Sequence, residues 1–182
     1  MGNRGIIHNE NQEIVATHRL QGWVTCRLEF KGRQRRIMSP GTYTELFFLD
    51  EATAFAAGHR PCGECRRERY VEFKEAWLEA NGDLLESKPP TASNIDRIIH
   101  RQRIHRGRQV THRATLGVLP DGTMVGLESA AWLLWRGRIL RWSFAGYTDS
   151  EERPDHTEVD VLTPRSYVRV FELGFVPGVH GS

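Results

Sequence analysis

Two cysteines in the first half of the chain, Cys62 and Cys65, are separated by two residues and follow an Arg-Pro pair. This spacing lets two thiolates reach one ion from a single turn, and thiolates bind zinc at about 2.3 Å. The third cysteine, Cys26, lies upstream in a segment with the composition of a strand. We therefore predict a Zn²⁺ site whose ligands include Cys26, Cys62 and Cys65.

A tetrahedral zinc site needs a fourth ligand, for which the sequence offers several candidates. His59, three residues before Cys62, is the residue that we include in the predicted ligand set. His18, an acidic side chain such as Glu64, and water are the alternatives. A histidine ligand would close a structural site, whereas water would leave a position open for catalysis. His59 could instead occupy a packing position.

Two helices are predicted on either side of the two-cysteine turn. Asp50 can N-cap a helix from Glu51 to Ala57, and Gly58 occupies the position where a left-handed residue ends many helices. A second helix is expected from about Glu64 to about Ala80, because apolar residues recur there at helical spacing. The residues of that apolar face are Tyr70, Phe73, Trp77 and Ala80.

The residues around this turn resemble a known family. Phe47-Phe48, Glu51-Ala52, Ala56-Ala57-Gly58, Arg60-Pro61-Cys62 and Cys65-Arg66 are similar to the second half of the Ada-type zinc module. That module is the N-terminal domain of bacterial Ada DNA-repair proteins, and the resemblance covers about residues 20 to 80. It implies a zinc-binding fold that associates with DNA.

The chain departs from this family in its cysteine content. The Ada module holds zinc with four cysteines, two of them in an upstream Cys-x-x-x-Cys, where this chain has Cys26 alone. In that module one zinc thiolate takes a methyl group from a DNA phosphotriester. With one cysteine fewer, we expect the fold of the module more than its methyl-transfer activity. Cys26 on a strand and the later pair at a helix match the arrangement that the resemblance implies.

Two segments are predicted, separated by an acidic, proline-containing stretch from Asn81 to Pro90. Residues 1–86 would form the Ada-like zinc-binding module, with a strand from Trp23 to Phe30. Residues 91–182 would form an α+β domain whose first helix is capped by Ser93 and Asp96. The fold class is therefore α+β, a helical zinc knuckle followed by a small, mostly antiparallel sheet with flanking helices.

The second segment shows hairpin and strand patterns. One hairpin is expected from residues 115–119 and 124–127, and another from 131–135 and 139–144 with a turn at Arg136-Gly137. A polar loop from Glu151 to His156 would precede a strand over residues 159–162. Thr163 and Pro164 are placed to begin a last helix, with Gly174 just past its end.

Arginine supplies all but three of the 25 basic residues, although the net charge is only +2. Its planar guanidinium suits phosphate recognition, and arginines lie around the cysteines and in the acid-free run from Arg97 to Arg113. A GC-rich genomic base composition, which favours arginine codons, or a solvated helix face would explain the same pattern. The residues that we predict to contact nucleic acid are Arg33, Arg35, Arg36, Arg60, Arg66, Arg67, Arg101 and Arg103.

Length and composition restrict the class of protein. A chain of 182 residues with 39% hydrophobic residues can form a packed core, and no apolar stretch is long enough for a transmembrane helix. Three cysteines, two of them at metal-ligand spacing, favour a metal site in a reducing compartment over a disulfide framework. We therefore expect a cytoplasmic protein without a membrane partner.

Three functions are compatible with these patterns. The first is a zinc protein that binds DNA or another nucleic acid through its arginines, in repair or regulation. The second is a zinc-dependent hydrolase or transferase in which Cys26 or a metal-bound water reacts. The third is a structural zinc protein that acts through a protein partner. No P-loop, nucleophile elbow, dinucleotide fingerprint or His-Glu-x-x-His motif is present in the sequence.

Overall fold

The fold is built from helices and sheets within residues 1–32, 36–86 and 90–181, the parts of the chain that this computed structural model describes. The predicted α+β class is confirmed. The helices are α1 (Glu51–Ala56), α2 (Arg67–Asn81), α3 (Ala92–Arg103) and α4 (Arg165–Glu172). None of the helices in these ranges is both long enough and apolar enough to cross a bilayer.

A small sheet of three short strands forms the N-terminal part of the structure. Its strands are β1 (Gly2–Asn3), β2 (Val24–Thr25) and β3 (Arg60–Pro61), arranged in the order β1-β2-β3. β1 pairs antiparallel with β2, whereas β2 and β3 are parallel. The strand expected from Trp23 to Phe30 is therefore reduced to Val24–Thr25, because its partner β3 is only two residues long.

Helix α1 begins at Glu51 as its sequence predicts and ends at Ala56, one residue before the predicted end. The Asp50 carboxylate accepts a hydrogen bond of 2.8 Å from the backbone N–H of Thr53, and the Thr53 hydroxyl completes the capping box. Gly58 follows the helix with φ of +75°, the left-handed conformation that glycine adopts without strain. The backbone N–H of His59 then bonds to the Ala54 carbonyl, which turns the chain into β3.

A six-stranded sheet with only antiparallel pairings lies in the second half of the sequence. Its order is β10-β9-β8-β7-β11-β6. The strands are β6 (His112–Thr115), β7 (Met124–Leu127), β8 (Ala130–Trp135), β9 (Arg138–Ser143), β10 (Gly146–Glu152) and β11 (Glu158–Val161). A separate two-stranded hairpin is formed by β4 (Ile104–His105) and β5 (Arg108–Gln109).

The sheet confirms one predicted hairpin and corrects the other. β8 and β9 are joined at Arg136 and Gly137, both at positive φ as a two-residue hairpin turn requires. The hairpin of residues 115–119 with 124–127 does not form, because Leu116–Val118 is a 3₁₀ turn and β6 pairs with β11 instead. The expected polar loop after Glu151 is also wrong at its start, since β10 continues to Glu152 as an edge strand.

Two predicted helix caps are replaced by other residues. The N-cap of α3 is Thr91, which forms a capping box with Asn94, two residues before the pair that we expected. Thr163 does not cap α4, because its hydroxyl accepts a hydrogen bond of 2.9 Å from the backbone N–H of Met124. Gly174 lies past the end of α4 at positive φ, as predicted.

Aromatic residues from both predicted segments share one hydrophobic core. Helices α1 and α2 contribute Phe55, Phe73 and Trp77, which pack with Tyr167 and Phe171 of α4. A second contact joins Ala52 and Ala56 of α1 to Met124 and Leu133 of the large sheet. The boundary that we predicted between residues 86 and 91 stays a prediction, and the side chains on its two sides pack against each other.

Candidate metal centre

The three cysteines meet because β2 and β3 are parallel neighbours. Thr25 is the register partner of Pro61, so that Cys26 and Cys62, the next residues of the two strands, emerge side by side. The backbone N–H of Cys62 donates to the Thr25 carbonyl at 2.9 Å, which extends the pairing up to the cysteine. Two thiols distant in sequence are thus positioned by the ends of two short strands.

Cys65 joins this pair through the turn that leads into α2. The backbone N–H of Arg66 donates to the Cys62 carbonyl at 3.1 Å, which closes the turn from Cys62 to Arg66. The Sγ atoms of Cys26, Cys62 and Cys65 all lie within 4.8 Å of one another. Tetrahedral zinc with Zn–S bonds of about 2.3 Å would hold its sulfurs about 3.8 Å apart. The spacing of this group is therefore compatible with one metal ion.

Backbone N–H groups point at two of the three sulfurs. The Arg27 N–H donates to the Cys65 Sγ at 3.3 Å, and the Glu64 N–H donates to the Cys62 Sγ at 3.5 Å. Such bonds stabilise negative charge on sulfur, which a metal-ligating thiolate must carry. The donor set of this structure therefore fits a thiophilic divalent cation in its chemistry as well as in its spacing.

The pKa values of Cys62 and Cys26 are shifted in opposite directions. Hydrogen bonding with Cys26 lowers the pKa of Cys62, and the backbone N–H groups of Cys65 and Glu64 lower it further against the effect of burial. The same hydrogen bond with Cys62, together with burial, raises the pKa of Cys26. Cys62 thus becomes a thiolate more readily than Cys26. A bound cation would compensate the additional negative charge that deprotonation of Cys26 creates.

His59 does not belong to the cysteine group. Its imidazole is fully buried, with ring centroids 5.3 Å from Trp23 and 4.7 Å from Phe48. Its Nε2 accepts a hydrogen bond of 3.2 Å from the Nε of Arg4. Burial and the positive charges of Arg4 and Arg103 hold the pKa of His59 well below its usual range. The structure thus gives His59 the packing position that was the alternative to metal ligation.

The other candidates for a fourth ligand also lie outside the group of three sulfurs. His18 packs its ring against Trp23 and His100. Glu64 contributes its backbone N–H to Cys62, and its carboxylate is not among the clustered donor atoms. Among the His, Cys, Asp and Glu side chains in the described ranges, the donor cluster here consists of the three cysteines.

Three of the arginines predicted to contact nucleic acid bind other parts of the protein. Arg60 is buried and donates to both carboxylate oxygens of Asp96 at 2.7 and 2.8 Å. Arg66 donates to the Glu51 carboxylate at 2.7 Å and to the Thr25 hydroxyl at 2.8 Å. Arg103 is also buried, and its guanidinium donates to two backbone carbonyl oxygens. These three guanidinium groups stabilise the fold around the cysteines.

The remaining predicted contacts are more accessible. Arg36, Arg67 and Arg101 are exposed. Arg33 and Arg35 lie outside the described residues. The acids Glu51 and Asp96 were not predicted as parts of this region, although both hold arginines beside the cysteines. The signal in the sequence was weak, because an acid at a helix start is ordinary and its partner is remote in the chain.

Comparison with known proteins adds no information on the three-cysteine group. No match was found in a scan against protein-family models, in a search of curated proteins or in a search of solved structures. The resemblance to the Ada-type module stays a prediction carried by the residues of the two-cysteine turn. What the chain itself shows is a group of three thiols, held by two parallel strands and one helix start.

Proposed function

We propose that this protein is a zinc-binding protein whose metal joins the N-terminal sheet to the start of helix α2. The approach of the Cys26, Cys62 and Cys65 sulfurs within 4.8 Å of one another carries this proposal. Thiolates select zinc over the hard cations magnesium and calcium, which prefer oxygen ligands. Three protein ligands leave the fourth position of a tetrahedral ion to water or to an exogenous group.

The metal would act mainly on the stability of the N-terminal region. β1, β2 and β3 are only two residues long each, and their backbone hydrogen bonds alone define little structure. A zinc ion bound to residues after β2 and β3 would fix both strands against α2. Because the intact site exists only in the folded chain, its binding free energy adds to the free energy of folding.

Metal analysis of the purified protein tests this proposal. Protein prepared under reducing conditions without chelators should contain one zinc ion per chain. Cobalt substituted for zinc should give thiolate-to-cobalt charge-transfer absorption, because sulfur ligates the metal. The variant in which Cys26, Cys62 and Cys65 are all replaced by serine is the control and should lose the metal. Wild-type protein without stoichiometric metal after zinc reconstitution, or metal retained by that variant, would refute the proposal.

A second proposed function is nucleic-acid binding through four exposed arginines that we call the arginine face: Arg97, Arg101, Arg106 and Arg108. Arg97 and Arg101 are exposed on α3, and Arg106 and Arg108 are exposed in the β4–β5 hairpin that follows it. No ion pair involves these four side chains within the described portion of the chain. Free guanidinium groups along one continuous segment suit a phosphate backbone, where they release condensed counterions on binding.

Fluorescence anisotropy at several salt concentrations tests the arginine face. Binding to duplex DNA should weaken with salt, with a slope of about −0.9 in log affinity against log salt for each neutralised phosphate. The double variant Arg101→Gln, Arg106→Gln should flatten this slope by about 2 without altering zinc content. Arg136→Gln, an exposed arginine in the β8–β9 turn, is the matched control. Absence of binding to DNA or RNA at low salt would remove this function.

A further inference from the structure

Trp23 is surrounded by basic side chains that the metal centre does not use. The indole is 2% exposed, and the guanidinium carbons of Arg4 and Arg103 lie 3.9 and 3.7 Å from its ring centroid. At these distances both guanidinium groups lie within the range of a cation–π interaction with the ring. The imidazoles of His18 and His100 lie 5.7 and 6.0 Å from the ring and 4.7 Å from each other. We define the Trp23 cluster as Arg4, His18, Trp23, His100 and Arg103, and we include Arg19 because its backbone N–H bonds to the Arg4 carbonyl and its charge acts on His18.

The positive charge of this cluster is not balanced by acids. Within the segments that the structure describes, Arg4, Arg19 and Arg103 form no ion pair. Asp96 is near enough to influence Arg103, but both of its oxygens already accept from Arg60. Burial lowers the pKa of Arg4 to about 10 and that of Arg103 to about 9. Desolvated cations without a counter-charge are costly, so that an anionic ligand would be bound favourably here.

Arg4 and Arg103, the two arginines that contact Trp23, differ in how many of their N–H groups already donate to acceptors within the protein. Arg103 donates to the carbonyl oxygens of Gly58 and Gln21, and its Nη2 lies 3.1 Å from the Nδ1 of His100. The Arg103 guanidinium is therefore held in place by the protein and would contribute to ligand binding mainly through its charge. Arg4 donates only its Nε, to His59. Its two Nη groups have no hydrogen-bond acceptor among the described residues.

His18 and Arg19 are positioned beside Arg4 by the backbone. The N–H groups of Arg19 and Leu20 both donate to the Arg4 carbonyl, at 2.8 and 3.2 Å. Burial lowers the pKa of His18, and the nearby charges of Arg103, Arg4 and Arg19 lower it further. Since the His18 side chain is partly accessible and that of Arg19 is exposed, a solute can reach this side of the cluster.

We propose that Arg4, together with His18 and Arg19, binds the phosphate group of a small molecule. Trp23 and His59 hold the Arg4 guanidinium in place, and Arg103 adds a fixed positive charge beside the same indole. Three arginine charges favour a ligand with nearly two negative charges. A phosphate monoester carries about −1.5 to −2 at neutral pH, against −1 for a carboxylate. The two free Nη groups of Arg4 can donate in parallel to two phosphate oxygens.

Titration of the zinc-loaded, full-length protein with inorganic phosphate tests this site. Isothermal titration calorimetry at low ionic strength, supported by phosphorus NMR, should show one site with a Kd of about 1 mM or below. A nucleoside 5′-monophosphate forms the second arm of the experiment. Equal affinity for both ligands would identify the phosphate group alone as the ligand. Tighter binding of the nucleotide would identify a phosphate ester. Either result supports the proposal, and absence of binding by both overturns it.

Variants locate the phosphate on the cluster. Arg4→Gln should weaken phosphate binding by roughly 10-fold or more, because it removes a charge-assisted hydrogen-bond donor. Arg4→Lys keeps the charge without the planar pair of donors and should bind with intermediate affinity. Arg19→Gln changes an exposed residue, so it should fold normally and also bind more weakly. Arg136→Gln, where an exposed arginine lies 5.6 Å from the Trp135 ring, is the matched control and should bind like wild type.

The outcome of these variants separates phosphate binding from a purely structural role. Circular dichroism and melting temperatures of every variant establish which of them fold. Wild-type affinity in both Arg4→Lys and Arg19→Gln would overturn the proposal, even if Arg4→Gln failed to fold. The double variant Arg101→Gln, Arg106→Gln should bind inorganic phosphate normally, because it alters the arginine face and leaves the Trp23 cluster intact. The proposal of a phosphate site can therefore be supported or refuted independently of nucleic-acid binding.

Discussion

Arg60 and Asp96 form an ion pair whose side chains are only 10% exposed. The guanidinium also donates to the Pro61 carbonyl at 3.2 Å and lies 5.0 Å from the Tyr70 ring. Burial lowers the pKa of Arg60, but its hydrogen bonds to Asp96 outweigh that effect and raise the pKa above its usual value. Arg60 directly precedes the Pro61-Cys62 pair, so the ion pair connects the group of three cysteines to helix α3.

The variant Arg60→Met should destabilise the protein by about 3 kcal/mol or more, because Asp96 is left buried without a partner. The double variant Arg60→Met, Asp96→Leu should recover much of this loss, since neither charge then remains. Urea unfolding measures both effects. Arg169→Met, which breaks the exposed pair with Asp83, is the control and should change stability much less. Equal losses in the single and double variants would show that packing, and not the unpaired acid, dominates.

Cys62→Ser should lower both zinc content and stability, because the remaining thiols bind the metal more weakly. We expect a loss of about 3 kcal/mol or more, the stabilisation that a ligand at 100 times its Kd or above provides. Thermal unfolding with and without a chelator measures it. Chelator should bring the wild type close to the variant, and it should have little further effect on the variant. A variant that keeps the wild-type melting temperature and its metal would contradict the prediction.

At the residue scale, the grouping of the thiols was easier to predict from the sequence than the pairing of the charged side chains. The spacing of Cys62 and Cys65 is local and fixes a turn, so its outcome could be anticipated. Arg60 lies beside them and was assigned to nucleic acid, because its partner Asp96 is distant in sequence. His59 was assigned to the metal because its partners Arg4 and Trp23 are likewise distant in sequence. Whether a histidine faces an ion or an aromatic ring depends on tertiary contacts that no local pattern contains.

At the scale of elements, the Glu51 side chain joins three parts of the chain at the start of α1. Its carboxylate accepts from Arg66 and Arg69 of the knuckle and helix α2, and from the backbone N–H of Gly178 near the C-terminus. Burial raises the pKa of Glu51, but the hydrogen bonds and charges of these partners outweigh it and lower the pKa below its usual 4.5. Glu51 therefore stabilises the fold in its ionised form.

This lowered pKa makes a prediction for acid stability. A group with a lower pKa in the folded state stabilises fully above its unfolded pKa and loses that effect as the pH falls through the folded value. Wild type should exceed Glu51→Gln in melting temperature near neutral pH. The difference should shrink as the pH falls below 4.5, the usual value for this group. Melting curves across this range measure the effect, and a constant difference would contradict it.

Elements with a strong local pattern were predicted well, and those that depend on remote partners were not. The N-cap at Asp50 and the apolar face of α2 are encoded within a few residues of each element. The strand expected over residues 115–119 shares only Thr115 with β6, which pairs with the remote β11, and Leu116–Val118 forms a 3₁₀ turn instead. β10 is polar because it is an edge strand, which made its last residues resemble a loop.

At the scale of the whole molecule, the shared core predicts a single cooperative transition on heating. Phe55 and Phe73 of the first predicted segment pack directly on Tyr167 and Phe171 of the second, with ring centroids 5.2 to 5.8 Å apart. Neither side of this core can be lost without exposing the other. Calorimetry of the full-length zinc protein should therefore give one unfolding peak, with calorimetric and van't Hoff enthalpies in agreement. Two resolved peaks would instead support two independent domains.

The parallel pairing of β2 with β3 also has a consequence for the order of events during folding. Cys62 and Cys65 are brought together by their own turn, but Cys26 joins them only after the long intervening chain has closed into a loop. A nascent or refolding chain thus offers an incoming ion two thiols at first, and the third after tertiary structure has formed. Tight capture of zinc should follow folding, at a rate that no longer rises once zinc is in excess.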